Sequence, residues 1–118
     1  MAILYLPPVQ NPFIAPGSRL IRSIDIHIQN LGEPEFDILT HGYTVNMLFL
    51  EHLNHLAVPP NPDSLVVLRD LLVPVDSLFL QFFTDITLFH PLSITIYTKN
   101  RYGETVGLYT HANLVTIR

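Results

Sequence analysis

Between Ser23 and Gln29 the chain alternates with a period of two: Ile24, Ile26 and Ile28 are separated by Asp25, His27 and Gln29. In an extended backbone successive side chains point to opposite faces, so this segment carries three β-branched residues on one face and polar residues on the other. A helix would scatter the same residues around its axis. A strand with one apolar face has to bury it against a second layer. The segment therefore commits the chain to packed antiparallel sheets with apolar interiors.

The remaining chain supplies further short strands between turn signals. Asn30–Leu31–Gly32–Glu33–Pro34 reads as a turn, Phe36–Thr40 as a short strand, and His41–Gly42 as a break. Tyr43–Leu50 places Tyr43, Val45, Met47 and Phe49 on one side of a strand. Over residues 47–56 the three-residue spacing of Leu50, Leu53 and Leu56 suits a helical turn as well as a strand. The proline-rich Val58–Asp63 is a loop, followed by the run Leu65–Leu68 within Ser64–Val73, then Ser77–Phe83 with Leu78, Leu80 and Phe82 on one face, then Ile86–Phe89. Leu92–Lys99 and Thr105–Tyr109 flank a hairpin turn with Gly103 available for a positive φ, and Leu114–Ile117 closes the chain. Residues 18–118 are thus predicted to form an all-β domain, a single β-sandwich or jelly roll of seven to eight short antiparallel strands.

Residues 1–17 differ from this pattern. They hold four of the ten prolines and no charged side chain, which predicts an extended N-terminal arm. Ile3, Leu4, Tyr5, Leu6, Val9, Phe13 and Ile14 are apolar, and each large side chain left in water forgoes about 1.5–3 kcal/mol of burial. The arm is expected to dock, either on its own sandwich or on a neighbour, with Ala2–Leu6 supplying a backbone ladder that Pro7–Pro8 terminates. Composition favours the neighbour. Charged residues make up 14% of the chain, against roughly 25% in a typical soluble protein, while 48% is hydrophobic. A surface so poor in charge reads as one that is partly covered by copies of itself. The partner-contact residues expected from this reading are Ile3, Leu4, Tyr5, Leu6, Pro7, Pro8, Val9, Phe13 and Ile14.

The same composition argues against other classes. A net charge of −4 with six scattered basic residues does not make the clustered basic face that nucleic acid needs. No apolar run reaches the length of a membrane-spanning helix, and MAILYLPP lacks the basic region and cleavage site of a secretory signal. Absence of cysteine removes disulfides, thiol catalysis and thiolate metal sites and leaves the compartment open. His52 and His55, three apart with Glu51 adjacent, miss the four-residue spacing of a zinc-protease helix and lack a third ligand. No serine sits in a glycine-flanked nucleophile elbow, and no glycine-rich phosphate loop is present. Asp63, Asp70, Asp76 and Asp85 read as turn and strand-end carboxylates, and Phe79, Phe82, Phe83 and Phe89 as core. The chain is therefore expected not to be an enzyme and to use no cofactor or metal.

The arm LPPVQNPFIAP, followed by a sandwich ending in SITIYTKNRYGETVGLYTHANLVTI, resembles small surface proteins of bacterial endospores, including subunits of spore appendage fibres. The resemblance implies a jelly-roll domain made without a secretory signal and joined to its neighbours through an N-terminal connector. The N-terminal cysteines that cross-link such appendage subunits are missing here, so burial and strand addition would have to hold the assembly. The leading expectation is a structural, self-assembling subunit of a surface fibre or shell. A virion tail or decoration protein and a small ligand-binding jelly roll are the alternatives.

Overall fold

The computed structural model describes residues 2–86 and 91–117. Among them the chain forms β1 (Ala2–Gln10), β2 (Phe13–Ala15), β3 (Ser18–Arg19), β4 (Ser23–Asn30), β5 (Phe36–Thr44), β6 (Met47–Leu56), β7 (Leu65–Leu72), β8 (Ser77–Thr84), β9 (Leu92–Lys99), β10 (Thr105–Thr110) and β11 (Val115–Ile117). Two short 3₁₀ turns, Pro62–Ser64 and His111–Asn113, complete the regular structure. The strands form a five-stranded sheet in the order β11-β1-β8-β5-β6, a four-stranded sheet in the order β10-β9-β4-β7, and the small hairpin β2-β3. Every pairing is antiparallel, and the fold is all-β and β-sandwich-like.

The isoleucine alternation occupies the middle of the four-stranded sheet. β4 pairs on one side with β9, setting Ile26 opposite Ile96 and Ile28 opposite Ile94, and on the other side with β7. These isoleucines are completely buried, as are Leu78, Leu80 and Phe82 of β8 and Ile38 of β5, with Phe36 nearly so. The inner faces of both sheets join in one core, whose interleaved branched and aromatic side chains supply most of the burial energy.

Two local expectations are corrected and one open assignment is resolved. Gly42 is not a break: it is buried inside β5, and the turn falls at Val45–Asn46 instead. A Cβ at position 42 would come within 3.0 Å of Leu50 Cβ and 3.1 Å of Phe49 Cζ, so this glycine permits close packing against β6. Residues 47–56 are strand throughout, because the pairing of β6 with β5 uses their backbone groups. Ile86 lies beyond the end of β8 rather than in a strand, and Phe89 lies outside the described residues. By contrast, the β9–β10 turn does carry Gly103 at φ 80°.

Residues 1–17 do not form one extended body apart from the sandwich. Ala2–Gln10 is β1, which lies between β11 and β8 in the five-stranded sheet. Leu4 and Leu6 are 5% and 2% exposed within the chain's own core. The prolines are accommodated because β11 pairs only with Ile3–Tyr5, so Pro7 and Pro8 fall where β1 has lost that neighbour, and the register with β8 shifts between Leu6 and Val9.

Thr40 is completely buried on the inner face of β5, and its Oγ1 has no hydrogen-bond partner among the described residues. A buried hydroxyl without a partner costs more than it contributes. Thr40→Val is expected to raise the unfolding free energy by about 1 kcal/mol in urea titration; an unchanged or lower midpoint would show that the hydroxyl is satisfied.

Candidate functional site

The central strands of the two sheets differ in the chemistry of their outer faces, although β7 and β10 at the edges of the four-stranded sheet also expose Leu65 and Leu108. On the four-stranded sheet, inward Ile24, Ile26 and Ile28 leave Asp25, His27 and Gln29 outward, opposite Tyr97, Thr95 and Ser93 of β9. Apart from Tyr97, which packs against His27 with ring centroids 5.1 Å apart, this central pair of strands shows water polar groups, as an exposed sheet face should.

The five-stranded sheet does not follow that rule. Its register sets Ile117 opposite Ile3, Ile3 opposite Phe83, Phe83 opposite Leu39, and Leu39 opposite Leu53. One apolar row therefore crosses all five strands on the outer face, and Leu53 and Ile117 at its ends are 70% and 42% exposed. The next row runs from Val115 through Tyr5, Gln81 and His41 to Glu51. Beyond it Tyr43 lies opposite Phe79 and Leu48. Tyr5 and Phe79 have ring centroids 5.7 Å apart, Tyr43 and Phe79 5.1 Å, and His41 and Phe83 5.4 Å, so a continuous aromatic seam covers the middle of the face.

The polar groups on this face are tied up by one another. His41 Nε2 lies 2.8 Å from Glu51 Oε2, and the Tyr43 hydroxyl donates to Gln81 Oε1. Burial among the rings pushes the Tyr43 phenol above its ordinary pKa. At one corner His55 Nδ1 lies 2.6 Å from Asp37 Oδ1 and its Nε2 3.6 Å from Glu35 Oε2. The hydrogen bond to the Asp37 carboxylate raises the His55 pKa against the opposing effect of desolvation, with Glu35 adding to the rise.

The residues singled out by sequence fall in several places. Ile3 and Tyr5 point outward on this face, whereas Leu4 and Leu6 point into the core and are spoken for there. Val9 packs against the core and Pro7 and Pro8 are exposed at the bulge. Phe13 and Ile14 stand at 60% and 59% exposure on the β2–β3 hairpin. Phe82 is core as expected, but Phe79 and Phe83 lie on the outer face, because alternation along β8 turns them away from Leu78, Leu80 and Phe82. His52 and His55 sit on opposite faces of β6, since an odd spacing along a strand separates side chains.

The carboxylates act structurally. Asp76 Oδ1 accepts from the Thr44 hydroxyl at 3.4 Å, Asp85 Oδ1 accepts the Asp37 amide at 3.3 Å, and Asp63 is the second residue of the 3₁₀ turn Pro62–Ser64, its amide donating to Oδ1 of the Asn61 cap at 2.9 Å. Asp70 adopts φ 55° at the bulge between β7 and β4, where its amide donates to Asp25 Oδ1 at 2.8 Å. Among the described residues no group of three or more histidine or carboxylate side chains is arranged to hold a metal ion. Comparison of the chain with protein-family models, curated protein sequences and solved structures returned no match.

Proposed function

We propose that this chain is a structural subunit that assembles with copies of itself, and that the outer face of its five-stranded sheet is the principal contact. The observation that carries this reading is the unbroken apolar row Ile117–Ile3–Phe83–Leu39–Leu53 on a face that, in a solitary sandwich, should be polar. Four strands presenting roughly 20 Å of length and the three-residue β11 presenting about 10 Å, spaced about 4.8 Å apart, make a footprint of about 430 Å² in plan. Side-chain relief adds to this, so the face can supply a large part of the roughly 800 Å² per partner of a standard interface. A second copy is the occupant best matched to it. Sheet faces pack on one another at about −30° with side chains interdigitating, and a two-fold axis needs only one self-complementary patch. The low charge content of the whole chain supports the same conclusion.

A two-fold pair is closed, so growth into a fibre or shell needs another contact. Phe13 and Ile14 provide an apolar tip for it, which retains the connector role expected of the N-terminal segment while β1 stays in its own sheet. The nesting of β5–β8 pairing within β4–β9 pairing favours a jelly-roll winding, the architecture of many such subunits.

Sedimentation equilibrium tests the reading. The wild-type chain is expected to be dimeric or larger at micromolar concentration. Leu53→Glu, at a position too exposed to disturb the core, is expected to weaken association by about a hundredfold or more, because it buries an unpaired carboxylate in the contact. Val45→Glu, in the β5–β6 turn away from the apolar row, should leave association unchanged. A wild-type chain that stays monomeric up to about 100 μM, well above the concentrations at which specific interfaces form, would exclude the proposal. Given a dimer, Ile14→Ser should preserve it and abolish larger assemblies seen by electron microscopy.

A further inference from the structure

Half of the chain's six basic residues converge at one end of the sandwich. Arg19, Arg22 and Arg101 line a pocket of about 400 Å³, together with the turn at Pro16–Gly17, Ser18, Ile21 and the exit of β7 at Leu72–Pro74. Among the described residues no acidic side chain lines it. The three arginines come from separate parts of the chain: Arg19 from β3, Arg22 from the link into β4, and Arg101 from the β9–β10 turn. Tertiary hydrogen bonds fix the frame around them. The Arg22 amide donates to the Lys99 carbonyl at 2.8 Å, and the Arg22 carbonyl accepts from the Val73 amide at 3.0 Å.

Two of the guanidinium groups are held in place by neutral partners. Arg19 lies 4.0 Å from the centroid of the Phe13 ring and donates to the Asn11 carbonyl at 3.0 Å. Arg101 lies 4.8 Å from the centroid of the Tyr102 ring and donates to its hydroxyl at 2.5 Å. These contacts leave most of the five donors of each guanidinium free. Among the described residues none of the three forms an ion pair, whereas nearby Lys99 is engaged by Asp25 at 2.9 Å and by Asp70 at 2.5 Å. In a chain of net charge −4, this places three unneutralised positive charges around one concave space.

We propose that this pocket binds a phosphate-type oxyanion. Guanidinium groups recognise carboxylate and phosphate through paired N–H donors, and groups already restrained by an aromatic ring lose little freedom on binding. The approach of three arginines from three segments favours a tetrahedral anion over a planar carboxylate. Phosphate offers oxygens in several directions and carries more than one negative charge at neutral pH, whereas one or two guanidinium forks saturate a carboxylate. The Ser18 hydroxyl can add a neutral donor. Both free phosphate and a phosphate ester present this chemistry.

The test is a titration of the ¹⁵N-labelled full chain with inorganic phosphate at constant ionic strength, with chloride as the balancing anion, following the backbone amides of Gly17 and Ser18 and the arginine Nε–H signals. Saturable shifts confined to this end of the molecule are expected, with a midpoint of about 1 mM or below. Arg22→Gln combined with Arg101→Gln should weaken binding at least about tenfold, while Arg69→Gln, away from the pocket, should leave it unchanged. The remainder of the spectrum verifies that each variant is folded. Phenyl phosphate provides the second arm: binding at least as tight as that of phosphate assigns the site to an esterified group, and weaker binding assigns it to the free ion. Absence of saturation by either phosphate, equal binding by the double variant, or tighter binding of succinate than of phosphate at equal ionic strength would overturn the proposal.

Discussion

Alanine in place of Phe82 is expected to lower the unfolding free energy by about 3–5 kcal/mol, enough to remove much of the stability of a domain this size. Phe82 is completely buried in β8, with Leu4 of β1 on one side and Thr40 of β5 on the other. Its ring points to the inner side of the five-stranded sheet and belongs to the same buried core as the isoleucines of β4 and β9. Truncation removes the transfer energy of the ring and leaves a cavity that rigid neighbouring strands cannot collapse. Urea denaturation should show a much lower midpoint with an unchanged slope. Phe83→Ala, one residue along and on the opposite face, should cost the isolated chain clearly less. Equal losses at the two positions would mean that the alternation of faces along β8 is misassigned.

Asn11→Ala is expected to cost about 3 kcal/mol, an effect unusual for a polar residue in a proline-rich segment. The Asn11 side chain is completely buried. Its Nδ2 donates to the carbonyls of Ile21 at 2.9 Å and Val75 at 3.0 Å, and its Oδ1 accepts the Ile21 amide at 2.6 Å. Its own amide donates to the Asp76 carbonyl at 2.8 Å. One side chain thus joins the end of β1, the approach to β4 and the β7–β8 connection. Removing it strands three buried backbone groups, and each lost partner carries the desolvation penalty of an unsatisfied group. Asn11→Asp separates hydrogen bonding from volume. It has nearly the same shape but places a carboxylate against two carbonyls, so at neutral pH it should be at least as destabilising as alanine. A loss below about 1 kcal/mol for both variants in urea denaturation would show that this staple contributes no more than an ordinary hydrogen bond.

The elements legible in the sequence are those whose outcome depends on local pattern. The alternation of Ile24, Ile26 and Ile28 does mark a half-buried strand, and Asn100–Glu104 does form the turn joining β9 to β10. Local pattern was misleading where long-range packing supplied the reason. Gly42 has the appearance of a turn residue, yet it is glycine because β6 approaches closely, which depends on Phe49 and Leu50 being brought alongside. Pro7 and Pro8 suggest an arm, yet they lie in β1 because the last three-residue strand ends before reaching them. The role of Asn11 leaves no local signal at all, since two of its acceptors are contributed by residues 21 and 75.

The candidate face shows the same division. Its components, Ile3, Leu39, Leu53, Phe83 and Ile117, are scattered over almost the whole chain, and nothing in their sequence neighbours marks them as one group. Strand order and register align them into a row, and the inward commitment of Leu4, Leu6, Leu80 and Phe82 leaves that row outside. Arg19, Arg22 and Arg101 likewise read as scattered charges until the ends of three connections meet. Composition and periodicity were enough to imply an all-β chain with a surface poor in charge, because strand formation and burial are governed by side-chain chemistry averaged along the segment. Which apolar face remains open, and which charges share a pocket, followed from pairings between distant strands, because a one-residue change of register would send every side chain of a strand to the other face.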